Sequence, residues 1–218
     1  MKDDDLVARA GALDTATLSD ALDRFGVNGQ CAGVAPCGPF KLAGRAYTLQ
    51  YGPAAIPAGT VGDYIDEVSP GDIVVLDNGG RRDATVWGDI LTEIAHRRGI
   101  GGTVIHGVNR DVRLCRDLGY AVFSCGVWMR TGKDRVQVDR VGEPVNVGGA
   151  RVAAGDILVG DADGVLAIPR AMELQIIESA EEIHRAEVSI RDACRQGMRL
   201  DEARRAAGYH TLQTRRGK

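Results

Sequence analysis

The chain has 218 residues, 44% of them hydrophobic and 26% charged, with a formal net charge of −3. That composition suits a globular domain long enough to bury a core. The weak negative charge offers no field to draw nucleic acid, and no apolar run approaches membrane-spanning length. The first residues, Met1-Lys2-Asp3-Asp4-Asp5, are acidic where a secretory leader requires positive charge, so a cytoplasmic protein is expected.

In chain order, residues 15–25 predict a helix. Thr15 or Thr17 is placed to cap it, Leu18, Ala21, Leu22 and Phe25 share one face, and Gly26 stops it. A Gly/Pro/Cys-rich loop runs to about Phe40. Ala43 to Tyr51 then predicts a strand, and residues 52–60 a second Pro/Gly-rich loop. A short helix over Val61 to Val68 ends at the turn signal Ser69-Pro70-Gly71. Asp72 to Asp77 predicts a buried strand, followed by a loop at Asn78-Gly79-Gly80-Arg81-Arg82. That loop has neither phosphate-loop glycine pattern, so no nucleotide site is expected.

The next block alternates helix 85–98, strand 103–106, helix 111–118 and strand 121–124, the rhythm of βαβ units. Residues 135–168 carry alternating valines punctuated by Gly, Pro and Asp, which predicts several short strands. A long amphipathic helix follows from Arg170 to Gln196, and the Arg-rich tail from Arg204 to Lys218 is expected to fray. Gly71-Asp72-Ile73-Val74-Val75-Leu76-Asp77 is echoed by Gly155-Asp156-Ile157-Leu158-Val159-Gly160-Asp161, two turn-then-strand units rather than a repeat. No linker interrupts residues 1–218, so one layered α/β domain is expected.

The five cysteines, Cys31, Cys37, Cys115, Cys125 and Cys194, include no C-x-x-C pair. An odd count of this kind fits neither a disulfide framework nor a zinc knuckle. Cys31 and Cys37 flank the first loop, where a thiol could react; reduced structural thiols are the plainer expectation.

The chemistry concentrates at Trp87-Gly88-Asp89-Ile90-Leu91 and at Asn109-Arg110-Asp111, with twenty residues between Asp89 and Arg110. A helix and a strand fill that interval. The chain doubles back, so the start of the helix and the end of the strand can meet. Two carboxylates there suit a hard cation such as Mg²⁺ or Mn²⁺, an arginine can hold a developing negative charge, and the N–H groups of Asp89, Ile90 and Leu91 can take a carboxylate. Each has a plainer reading: Asp111 as a helix cap, Arg110-Asp111 as a solvated surface pair, and Gly88 to Leu91 as an ordinary helix start.

These pieces, with Thr15-Ala16-Thr17-Leu18-Ser19-Asp20-Ala21-Leu22, Pro70-Gly71-Asp72-Ile73-Val74-Val75-Leu76-Asp77 and Gly160-Asp161-Ala162-Asp163-Gly164-Val165, carry a resemblance. Over about residues 12–190 the chain resembles the aldolases for 4-hydroxy-4-methyl-2-oxoglutarate and 4-carboxy-4-hydroxy-2-oxoadipate, and the regulator of ribonuclease E activity (RraA) whose fold they share. The resemblance implies an α/β/β sandwich of the swivelling-domain type. It also implies a metal-dependent lyase that cleaves the C3–C4 bond of 2-oxo acids to give pyruvate, and that decarboxylates oxaloacetate. Asp111 would ligate Mg²⁺ or Mn²⁺, Asp89 would hold a water on that cation or handle protons, and Arg110 would contact the C2 oxygen. Gly88, Asp89, Ile90 and Leu91 would seat the substrate.

Relatives that act as ribonuclease regulators lack the first Asp, which this chain has; a non-catalytic regulator and a lyase with another substrate remain the alternatives. The resemblance further implies a homotrimer or homohexamer, with the site completed by a neighbouring carboxylate. The helix bearing Glu178, Glu181, Glu182 and Glu187 is one source of it. His106 departs from the carboxylate or amide of many relatives and either faces the site or ends a strand. The four lysines, Lys2, Lys41, Lys133 and Lys218, lie outside apolar runs, so no Schiff base is expected.

Overall fold

The computed structural model describes residues 3–209. Helix α1 (Asp3–Gly11) precedes α2 (Thr15–Phe25), and the two-residue strand β1 (Ala35–Pro36) leads into the long β2 (Leu42–Pro53). A five-residue 3₁₀ turn, Asp63–Glu67, stands where a short α-helix was expected. So short a segment, followed by Pro70, has room only for i to i+3 bonds such as Val68 N–H to Ile65 O. Then come β3 (Ile73–Thr85), α3 (Asp89–Arg97), β4 (Gly102–Val108), α4 (Val112–Leu118) and β5 (Val122–Ser124). The valine-rich region resolves into β6 (Val136–Val141), β7 (Val145–Val147), β8 (Ala150–Val152), β9 (Ile157–Asp161) and β10 (Gly164–Ile168). A 3₁₀ turn at Arg170–Met172 opens α5 (Glu173–Arg195), and α6 (Leu200–Ala206) follows.

One sheet carries the fold, in the order β1-β5-β4-β3-β2-β9-β10, with β6 also on β2. β2, β3, β4 and β5 run parallel; the remaining pairings are antiparallel. β2 is long enough to serve two partners. Its first half pairs with β9 and its second half with β3, so the echoed segments are neighbours of one strand. The sheet curls until its two end strands, β1 and β10, lie against each other. The run Ile73-Val74-Val75-Leu76 is wholly buried, as a central parallel strand covered on both faces must be.

A second apolar cluster lies outside the curl. Leu18, Ala21 and Leu22 of α2 and Ile176, Ile177, Ala180 and Ile183 of α5 pack on Ile157, Val159, Leu166 and Ile168. The cap of α2 is Asp14, whose carboxylate accepts from Thr17 N–H at 2.7 Å, and neither Thr15 nor Thr17 caps it. Thr15 is taken instead by Asp161: its hydroxyl donates to Oδ1 at 2.6 Å and its N–H to Oδ2 at 2.9 Å. Gly26 ends the helix as expected, at φ 67°.

The expected loop at Asn78–Arg82 stays within β3, as two register shifts opposite β4. Asp77 accepts from Gly79 N–H (2.9 Å) and Asn146 N–H (3.1 Å), and Asn78 Nδ2 donates to Ala84 O (3.2 Å). Those bonds hold the glycine-rich piece in the sheet. α3 begins at Asp89 rather than residue 85, because Thr85 is still paired to Val108 and donates its N–H to Arg130 O. Of the tail expected to fray, Arg204 and Arg205 belong to α6, and residues 210–218 lie outside the described residues. No helix among the described residues is long and apolar enough to cross a membrane.

Candidate active site

β3 and β4 are parallel neighbours, so the turns leaving their C-terminal ends lie side by side. In sheets of this kind that edge is where ligands bind. The turn after β3 carries Val86-Trp87-Gly88 into α3; the turn after β4 carries Asn109-Arg110-Asp111 into α4. Trp87 anchors the first. It is 2% exposed, stacks on Tyr120 with ring centroids 6.0 Å apart, and donates Nε1–H to Thr92 Oγ1 at 2.9 Å. Thr92 Oγ1 in turn donates to Gly88 O at 2.9 Å. Asn109 anchors the second: fully buried, its Oδ1 accepts from Ser124 Oγ at 2.9 Å and Cys37 Sγ at 3.3 Å. Arg110 N–H then donates to Trp87 O at 3.1 Å, which joins the two turns.

Asp89, Arg110 and Asp111 meet there. Asp111 Oδ2 accepts from Asp89 N–H at 3.1 Å and lies 3.2 Å from Arg110 Nε. Asp111 opens α4 with φ 57° and ψ 36°, left-handed and without a capping bond from its side chain. The plain helix-cap reading therefore fails, because the carboxylate is turned back to the start of α3. Gly88 makes room for it: a Cβ there would stand 2.8 Å from Asp111 Oδ2 and 3.1 Å from Arg110 Nε.

Of the three N–H groups expected to be open, Asp89 donates to Asp111 and Ile90 to its neighbour Asp89 Oδ1 at 2.9 Å. Side-chain carboxylates at a helix start fill those donors. Leu91 N–H keeps no partner among the described residues.

Gly88, Asp89, Ile90, Leu91 and Arg110 all line a cleft of about 420 Å³, with Asp111 hydrogen-bonded at its border. Its other walls were not singled out in the sequence. Val61, Asp63, Ile65 and Asp66 come from the 3₁₀ turn and its approach, Ile94 from the next turn of α3, and Thr85, Thr131 and Gly132 from the far side. Trp87, Thr92 and Asn109 had no chemical signature beyond lying beside the acidic and basic residues.

Among the described residues, no group of three or more His, Cys, Asp or Glu side chains is arranged to hold a metal ion. Asp89 and Asp111 are hard oxygen donors, the type of which a largely hydrated hard cation takes one or two, and they do not make a full protein cage.

His106 lies apart. Its Nδ1 is 3.1 Å from Asp77 Oδ1 on β3, and it is not among the residues that line the cleft. Of the four α5 glutamates named as candidates, three are engaged within the chain, Glu181 with Arg9 (2.8 Å), Glu182 with Arg24 (2.8 Å) and Glu187 with Arg191 (3.5 Å). All five cysteines are free. Burial pushes the Cys31 thiol up to about 12. It also raises Cys37, against the opposing pull of Ser124, Arg116 and Asn109. Burial thus disfavours the thiolate, the nucleophilic form, at both.

The RraA-like family, described as Aldolase/RraA, matches residues 15–167. The chain belongs to that family. Protein DlpA of Legionella pneumophila is 38% identical over 196 residues, covering 88% of this chain and 32% of DlpA, so the chain spans about a third of that relative. A Halalkalibacterium halodurans protein provisionally named 4-hydroxy-4-methyl-2-oxoglutarate aldolase is 30% identical over 178 residues, covering 81% of this chain and 82% of that one. Among solved structures, Streptomyces coelicolor RraAS2, described as an unusual member of the RNase ES inhibitor RraA family, superposes with a TM-score of 0.78 at 26% identity. The match covers 84% of this chain and 94% of RraAS2. The RraA-like fold expected from the sequence is therefore the fold of this chain.

Proposed function

We propose that this RraA-like chain is a lyase that cleaves the C3–C4 bond of 2-oxo acids and releases pyruvate, with Mg²⁺ or Mn²⁺ as cofactor. The single observation that carries this reading is the shared oxygen of Asp111, which joins Asp89 N–H and Arg110 Nε across the twenty-residue interval. The aldolase name borne by the H. halodurans relative supports it.

Asp111, with Asp89 beside it, would hold the cation, which when bound polarises the 2-oxo group. The start of α3 seats the 1-carboxylate through Leu91 N–H and the donors now held by Asp111 and Asp89. Arg110 faces the C2 oxygen. Negative charge gathers there only as the C3–C4 bond breaks, so a fixed guanidinium stabilises the transition state more than the bound substrate. Asp89 keeps Oδ2 available to take the proton of a 4-hydroxyl, since Oδ1 accepts from Ile90 N–H. Oxaloacetate fits the same scheme, because loss of CO₂ leaves the same enolate.

The reading carries a homotrimer or a pair of trimers with it. Ile90, Val127, Trp128 and Met129 are exposed apolar side chains. Trp128 N–H donates to Asn109 O at 2.9 Å, beside Arg110, so a second copy would cover the apolar side chains at the site's edge.

The test is pyruvate release from oxaloacetate and from 4-hydroxy-4-methyl-2-oxoglutarate, with Mg²⁺ or Mn²⁺ and then with EDTA. Turnover that EDTA abolishes is the expected result. A folded protein that binds Mn²⁺ and turns over neither acid would instead favour a non-catalytic binder of an RNA-degrading enzyme, in line with the similarity to RraAS2.

A further inference from the structure

One buried hydroxyl underlies both turns of the site. Thr92 of α3 is fully buried, and its Oγ1 accepts from Trp87 Nε1–H and donates to Gly88 O, each at 2.9 Å. Gly88 O also takes Thr92 N–H at 3.1 Å, the ordinary helical bond. The hydroxyl thus adds a second hold on that carbonyl, beyond what the helix requires. Gly88 C=O and Asp89 N–H are the two ends of one planar peptide unit. Fixing the carbonyl fixes the direction of the N–H, and that N–H goes to Asp111 Oδ2 at 3.1 Å. Trp87, whose indole the same hydroxyl holds, is the residue whose carbonyl takes Arg110 N–H at 3.1 Å. A third contact reaches α4. Thr92 Oγ1 lies 3.4 Å from Cys115 Sγ, itself fully buried and 3.9 Å from Asp111 O. Asp111 is therefore tied to Thr92 through Asp89 on its carboxylate side and through Cys115 on its main-chain side. Neither Thr92 nor Cys115 lines the cleft, so neither a substrate nor a covering copy touches them.

We infer that Thr92 is a positioning residue of the lyase proposed above, on which reading the inference rests. Its hydroxyl touches no substrate and sets the orientation of Asp89, Arg110 and Asp111. Valine in its place keeps the shape and the N–H bond to Gly88 O, but it sets a methyl against the indole N–H and releases the second hold on the carbonyl. Misplacing reacting groups by about 1 Å can cost on the order of 10²-fold in rate.

The experiment measures kcat and KM for pyruvate release from oxaloacetate with Mn²⁺ supplied, for the wild type, Thr92→Val, Thr92→Ser and Ile176→Val. Hydrogen exchange at the Asp89 and Arg110 amides is followed in parallel, without added metal. Thr92→Val should lose roughly tenfold or more in kcat with little change in KM, and the two amides should exchange faster while the rest of the protein keeps its protection. Thr92→Ser retains the hydroxyl and should recover most of both. Ile176→Val loosens the second apolar cluster; it should lower the melting temperature and leave kcat unchanged, which separates positioning from a general loss of stability. Thr92→Ala, which removes the hydroxyl without putting a methyl in its place, stands in for the valine variant if that one does not fold. Wild-type kcat without the hydroxyl, or a serine variant as slow as the valine one, overturns the inference and leaves the lyase reading standing. A wild type that releases pyruvate from neither oxaloacetate nor 4-hydroxy-4-methyl-2-oxoglutarate defeats the lyase reading, and the inference with it.

Discussion

At Asp111 the backbone sits at φ 57°, in the left-handed region that L-residues with a Cβ enter at a cost. Asp tolerates it better than most, and the conformation aims the carboxylate at Asp89 N–H rather than along α4. Asp111→Gly should therefore be more stable than Asp111→Ala, by about 1 kcal/mol in chemical denaturation, while both lose pyruvate-forming activity. Equal stability of the two would mean that the backbone does not hold this strain. Gly88 makes the complementary case. Its φ of −152° suits any residue, and a Cβ there would stand 2.8 Å from Asp111 Oδ2, 3.1 Å from Arg110 Nε and 3.5 Å from Arg110 Cγ. Gly88→Ala should keep the wild-type melting temperature and lower kcat on the order of 10²-fold by displacing both charged groups; unchanged kcat would remove them from the chemistry. That Asp89, Arg110 and Asp111 meet was legible in the sequence, because a helix and a strand fill the interval between them and double the chain back. Which N–H groups remain open was not legible, because that depends on where each carboxylate turns.

Asp161, at the end of β9, shows what elements add. Burial pulls its carboxyl upward, but the hydroxyl and N–H of Thr15, Asp163 N–H and the charge of Lys41 outweigh that and leave it depressed. A depressed carboxyl contributes stability that is fully present above its unfolded pKa, about 3.9, and is lost as pH falls through the lower folded value. Asp161→Ala should cost about 1–3 kcal/mol at pH 7 by leaving Thr15 and Asp163 without their acceptor, and the difference from wild type should shrink below about pH 4. A gap that is constant with pH would show that the carboxylate charge is not involved.

Thr15 looked like a cap because Thr is a good one; a carboxylate 146 residues away took it, and sequence spacing cannot report that. The Asn78–Arg82 stretch departs from the expected loop for a related reason. Glycines at left-handed φ usually end a strand, but Asp77 and Asn78 bind this stretch back into β3. α1 has no legible helical period, because among residues 5–11 only Leu6 and Ala10 are buried and apolar.

For the whole molecule, the alternation from residue 73 to 124 was enough to expect parallel strands with the site at their C-terminal ends. The curl that brings β1 to β10 was not legible, since it depends on one long strand, β2, serving two partners. The exposed apolar residues around the site carry the assembly prediction. Light scattering should give three or six times the 23.2 kDa chain mass, and Trp128→Glu should lower both the mass and the activity. A wild-type monomer with full activity would dismiss the ring. The most direct test of the account is the rate of pyruvate release from oxaloacetate at saturating Mn²⁺, wild type against Asp111→Ala, each checked for folding by circular dichroism. Asp111→Ala should lose on the order of 10³-fold, the scale of removing one preorganised charged partner; a folded Asp111→Ala protein working at near the wild-type rate would contradict the metal-ligand role of Asp111.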